Sequence, residues 1–114
     1  MYSVDIDPGA KLAGGFLIVH GIRIVIGWYV ETRGPVRIYH GTTLGGNNFK
    51  TSKFENKTIN HPIVMSNVVI VINSTVVGPI VIGKNTTVGI GAIVTKNTNE
   101  NMTVVGNNKT LKKI

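Results

Sequence analysis

The chain contains no cysteine, which excludes disulfides and thiolate metal sites. Aromatic residues make up 6% of it against 42% hydrophobic residues in all. A core must therefore be filled by Val, Ile and Leu rather than by rings, which favours β structure. Acids are scarce as well: five Asp and Glu stand against twelve Lys and Arg, a formal charge of +7. Such a surplus can attract phosphates, nucleic acid or anionic membranes. The basic residues are scattered, however, apart from Lys109, Lys112 and Lys113. No recognition helix or aromatic RNA-binding motif accompanies them, so no nucleic-acid partner is expected. Long apolar runs are missing too. The longest aliphatic stretch, Val68 to Ile72, is far too short to cross a bilayer, and no basic segment leads into an apolar one at the N-terminus. The expectation is a soluble, cytoplasmic protein without a membrane partner. Asn-x-Ser/Thr triplets at Asn56, Asn73, Asn85, Asn101 and Asn108 are read as a product of Asn- and Thr-rich composition, not as glycan sites.

What the sequence does contain is a step of six. Val64, Ile70, Val76, Ile82, Val88 and Val94 are evenly spaced and all aliphatic. The same step runs through Ile6, Leu12 and Ile18, skips eight to Ile26, and resumes through Thr32, Ile38 and Leu44, with Thr32 alone breaking the aliphatic rule. A period of six is neither the 3.6 of a helix nor the simple alternation of an isolated strand. It fits short strands joined by tight corners, one inward side chain to each flat face, with three faces closing a triangular coil. Coils of eighteen residues would then pair their backbone amides with the coils above and below while the aliphatic stack fills the centre. All 114 residues are read as one all-β domain, 1–114.

Two interruptions stand out. The eight-residue step from Ile18 to Ile26 implies a two-residue bulge, and it contains His20. Between Leu44 and Val64 a polar stretch, about residues 46–60, reads as a loop thrown out of the prism, and loops of that length usually serve a function or are disordered. The pattern is lost over Asn97 to Met102, Thr103 to Gly106 looks like a last partial strand, and residues 107–114 read as a solvated basic tail.

The stretches Val4-Asp5-Ile6-Asp7-Pro8-Gly9-Ala10-Lys11, Ile24-Val25-Ile26-Gly27, Ile38-Tyr39-His40-Gly41-Thr42-Thr43-Leu44-Gly45-Gly46, His61-Pro62 and Val104-Val105-Gly106 occur in the order and approximate spacing of serine acetyltransferases. The sequence resembles the C-terminal catalytic half of that family over nearly its whole length. The resemblance implies a left-handed parallel β-helix, an exception to the usual right-handed crossover. It also implies acetyl-CoA as acetyl donor, L-serine as acceptor in cysteine biosynthesis, and a homotrimer with active sites in the clefts between subunits.

The residues support such chemistry independently. A hydroxyl attacks a thioester slowly unless a base removes its proton during attack, and His suits that task at neutral pH. His20 is the candidate base. Its ring requires an acceptor for its second nitrogen, best a carboxylate. Asp5 lies fifteen residues earlier, close to one coil back once the bulge is counted, and the similar family pairs an Asp and a His at this spacing. His61 and its neighbour Asn60 occupy the position that in the family contacts the acceptor. Backbone amides around Gly45 and Gly46 are candidates for the oxyanion or the pantetheine arm, and Lys96 for a CoA phosphate. His40 is assigned a structural or supporting role.

The sequence also departs from the family. Val19 and Asn60 replace an Asp and an Arg that engage the amino acid, Ile72 and Ile90 replace small residues beside the CoA channel, Arg23 replaces a Gly and Trp28 a Glu. The final Gly-x-Pro-Ala motif reads Gly106-Asn107-Asn108-Lys109, and the family's N-terminal helical domain is not expected here. Two alternatives follow, an O-acetyltransferase acting on a sugar hydroxyl and a β-helix that has lost activity. A zinc enzyme resembling the β-helical carbonic anhydrases is a third class. The three His are about twenty residues apart without a close His-x4-His pair, so no metal is expected.

Overall fold

A computed structural model describes residues 4–113. Along the chain the strands are β1 (Val4–Ile6), β2 (Phe16–Val19), β3 (Ile24–Ile26), β4 (Glu31–Thr32), β5 (Val36–Tyr39), β6 (Thr43–Gly45), β7 (Ser52–Phe54), β8 (Lys57–Ile59), β9 (Ile63–Val64), β10 (Val68–Ile70), β11 (Thr75–Val77), β12 (Val81–Ile82), β13 (Thr87–Val88), β14 (Ile93–Val94), β15 (Met102–Val105) and β16 (Lys109–Lys112). They form three faces of a prism. The first face runs β1-β3-β6-β11-β14, the second β16-β15-β13-β10-β5-β2, and the third β12-β9-β4. Neighbours within the faces are parallel except β15 and β16.

The hexad residues are the ones that stack inside. Ile26, Leu44, Val76 and Val94 align on the first face, Ile38, Ile70, Val88 and Val104 on the second, and Val64 and Ile82 on the third, all of them buried. Each such side chain contributes roughly 1.5–3 kcal/mol relative to leaving it exposed. Because strands alternate, the residue two before each hexad position also turns inward. Ile24, Val30, Val36, Val68, Ile80 and Ala92 fill this second set together with Thr42, Ser74 and Thr86. Their hydroxyls are satisfied locally: Thr42 donates to the Tyr39 carbonyl at 2.8 Å and Ser74 to the Val71 carbonyl at 2.7 Å. Thr32 breaks the aliphatic rule for a similar reason, since its buried Oγ1 accepts the Ala13 N–H at 2.9 Å. Without that oxygen a main-chain donor would lose its partner.

The corners explain the Asn-rich composition. Asn56, Asn73, Asn85, Asn101 and Asn108 have φ between 59° and 62°, the left-handed region that Asn tolerates better than other side chains with a Cβ. Along one edge the Asn85 amide donates to Asn101 Oδ1 at 3.1 Å, so stacked corners also bond to each other.

Three expectations are corrected. The stretch 46–60 is not merely a loop, because β7 and β8 pair antiparallel as a hairpin. It is fastened to the prism by Arg33, whose guanidinium contacts both Glu31 and Glu55 and lies 5.2 Å from the Phe54 ring centroid. That contact holds the Glu55 carboxyl below its ordinary range. The basic segment 107–114 is solvent-exposed but not a loose tail where it is described: β16 folds back on β15, pairing Lys109 with Val105 and Lys112 with Met102. It gives hydrogen-bond partners to an edge strand that would otherwise expose its amides. The rung over Asn97 to Met102 also persists, since Thr98 is buried and bridges to Ile82.

Candidate functional site

His20 stands on the edge between the second and first faces, after β2 and before β3. The bulge appears as a corner in which His20 and Arg23 have φ of 57° and 53°, and the Ile22 N–H donates to the His20 carbonyl at 2.7 Å. This conformation turns the His20 side chain outward, where it is exposed. Since Ile18 lies in register with Ile38, His20 sits over His40, and the two rings meet edge-on at 6.1 Å. His40 Nδ1 is buried with no hydrogen-bond partner. The same edge continues through Ile72 to Ile90, which is 72% exposed.

Asp5 lies on β1 directly beside Val25 of β3. It is thus on the rung next to the strand that His20 leads into. Among the described residues no hydrogen bond or ion pair joins Asp5 to His20. Asp5 instead borders a shallow cleft with Arg23, Thr43 and Asn73.

His61 occupies a different edge, between the first and third faces, where the hairpin returns to the prism. Its Nδ1 is 2.9 Å from Asn60 Oδ1, and its ring meets Tyr29 edge-on at 5.8 Å. Two glycines make the space. A Cβ on Gly27 would come within 2.9 Å of the ring, and one on Gly46 within 3.1 Å. Gly46, expected to serve the oxyanion or the donor, is thus also a wall of the His61 pocket. Gly45 is different: a Cβ there would meet nothing. Lys96 is exposed on the same edge, bordering a separate cleft with Asn47, Lys50 and Pro79. Among the described residues no three His, Asp or Glu side chains cluster as metal ligands.

Burial lowers the His61 pKa below its ordinary value, partly offset by the Asp7 carboxylate. The ring is therefore neutral at pH 7, and with Asn60 Oδ1 accepting from Nδ1 the lone pair is left on Nε2. The sign of the stability effect follows. As pH falls past about 6.5 the unfolded chain takes up a proton at this residue before the folded chain does, so folding weakens until pH passes the lower folded value. Urea midpoints measured at about pH 7.5 and about pH 5.5 should fall further in the wild type than in His61→Gln.

The sequence pointed to His20, Asp5, Asn60 and His61 individually. It missed Gly27 and Tyr29, which frame His61 from a rung above. The only signals were a Gly after the hexad residue Ile26 and an aromatic pair, Trp28 and Tyr29, in a chain poor in rings.

No protein-family model matches the chain. A serine acetyltransferase of Buchnera aphidicola subsp. Schizaphis graminum is 41% identical over 106 residues, 93% of this chain and 39% of that protein. The crystal structure of Neisseria gonorrhoeae serine acetyltransferase is similar with a TM-score of 0.84 at 32% identity, covering 96% of this chain and 40% of that one. The structure of the same enzyme in complex with serine has a TM-score of 0.78 at 33% identity, over 90% of this chain and 39% of that one. The shared fold is the left-handed parallel β-helix. The chain spans about two fifths of the length of these relatives.

Proposed function

We propose that this chain is a serine-acetyltransferase-like hexapeptide-repeat domain and that it transfers the acetyl group of acetyl-CoA to the hydroxyl of L-serine, a step of cysteine biosynthesis. The observation that carries this reading is the similarity along nine-tenths of the chain to proteins of that activity, one of them solved with serine. His20, outward-facing at the bulged corner, is its base. It takes the hydroxyl proton as the oxygen attacks the thioester carbonyl. The tetrahedral intermediate then collapses, the carbon–sulfur bond breaks, and the CoA sulfur leaves with a proton returned from the imidazolium. Asp5 is the orienting carboxylate, and its approach to His20 belongs to the assembled, substrate-bound site, because catalytic hydrogen bonds tighten in the complex.

His61 and Asn60 contact the acceptor. Gly45 suits the donor: neither a positive φ nor a close neighbour requires glycine there, which leaves room for the pantetheine arm to run along the backbone. Lys96 offers a point charge to a CoA phosphate. His20 and His61 lie on different edges of one prism, so a site using both needs two copies, and a homotrimer supplies that arrangement. Exposed Ile22, Val25, Ile90 and Ile93 around the His20 edge favour such packing.

A sugar hydroxyl is the second reading, favoured by Trp28 and Tyr29. These are 55% and 59% exposed, with rings 5.8 Å apart, a platform of the kind on which pyranoses stack. Thiol release from acetyl-CoA should be faster with L-serine than with any sugar acceptor. The reverse order would move the function to the second reading, and silence with both would remove the catalytic claim.

A further inference from the structure

Beside His61, between the third face and the hairpin, lies a cleft of about 340 Å³, large enough for an amino acid or a small sugar derivative. Its charges are unequal. Lys11 and Lys57 both line it, and neither ammonium makes a hydrogen bond or ion pair with any described residue. Glu31 also lines it, but its carboxylate is bonded to Arg33, which holds Glu55 as well. One guanidinium facing two carboxylates leaves a single negative charge, which Lys57 also feels at Glu55; Lys11 and Lys57 together outweigh it, so the surroundings of the cleft keep a surplus of one positive charge.

Both lysines sit on ordered backbone. Lys11 bridges to Glu31 through main-chain bonds, its N–H donating to the Val30 carbonyl at 2.8 Å and its carbonyl accepting from Thr32 N–H at 2.9 Å. Lys57 is paired with Phe54 in the hairpin, which Arg33 ties to the prism. The cleft shares two walls with His61. Asn60 borders it and bonds the imidazole, and Tyr29 borders it and packs on the ring edge.

We infer that Lys11 and Lys57 hold the anionic group of the hydroxyl acceptor, with its remainder directed past Asn60 and Tyr29 toward His61. This deepens the acetyl-transfer reading and rests on it. Two compact ammonium charges lining one small cleft suit a carboxylate or a phosphate, since neither lysine imposes the planar fork of an arginine. The carboxylate of a hydroxy-amino acid and the phosphate of a phosphorylated hydroxyl compound are the two sources of that chemistry.

The test uses the full chain and its Lys11→Gln and Lys57→Gln variants, checked for fold by circular dichroism. Thiol release is measured with L-serine, with L-serinamide, which lacks the anionic group, and with glycerol 3-phosphate. KM for an anionic acceptor should rise about tenfold or more in each variant, with a smaller change in kcat, while L-serinamide is affected little. The anion whose KM moves identifies the source. A KM for anionic acceptors that is unchanged in both variants, or that rises equally for L-serinamide, overturns the inference.

Should the wild type transfer acetyl to nothing, the acetyl-transfer reading fails by itself, and calorimetric titration with L-serine and with inorganic phosphate still decides the anion site. Binding that weakens about tenfold in the variants supports it. Binding that is absent from the wild type or equal in the variants overturns it.

Discussion

Replacing His20 is expected to lower kcat for acetyl transfer by roughly 10²- to 10⁴-fold, the usual span for loss of a general base. The choice of replacement matters because His20 is held at a φ of 57°. Alanine keeps the left-handed strain that a Cβ carries there, on the order of 1–2 kcal/mol, whereas asparagine accepts that region more readily. His20→Ala and His20→Asn should therefore be equally inactive but differ in stability, with His20→Asn the cleaner reporter of chemistry. Asp5→Asn should be milder, because the imidazole base itself is retained and an amide oxygen can still accept its N–H. Equal turnover by wild type and His20→Asn, measured by thiol release on protein with unchanged circular dichroism, removes His20 as the base.

The largest stability effect is expected at the centre of the stack. Ile70 is completely buried, with Ile38 on the coil before it and Val88 on the coil after it. Ile70→Ala should cost about 2–5 kcal/mol by urea denaturation, from lost transfer energy and the cavity left between two coils. In a domain of this size that is a large share of the total stability. A coil touches only its neighbours, so a defect at mid-height uncouples the upper rungs from the lower ones. Val69 is the control, since it points to the outer side of the same strand. Val69→Ala should change stability far less, and equal losses at the two positions would contradict the inward stacking.

The hexad core could be read directly, because Val, Ile and Leu at a fixed step leave a signal that no other arrangement of the chain produces. The second inward set could not. Thr42, Ser74 and Thr86 look like surface residues until the carbonyls that receive their hydroxyls come into view, and those carbonyls lie in corners that composition does not locate. The hairpin at 52–59 and the returning strand β16 were missed for a similar reason. Both are stabilised by partners distant in sequence, Arg33 for one and the open edge of β15 for the other. His61 was visible as a His before a Pro, but the burial that lowers its pKa and its contacts with Gly27, Tyr29 and Gly46 exist only once the coil brings separate rungs together.

By itself the order of residues determined the repeat, the inward aliphatic stack and the places where the repeat is interrupted, since side-chain periodicity and corner preference act over a few neighbouring positions. Only the tertiary structure decided which interrupted segments pair into strands, which glycines make room for an imidazole, and which charges gather in the cleft beside it. Those outcomes depend on contacts between coils, where burial and electrostatics act through space.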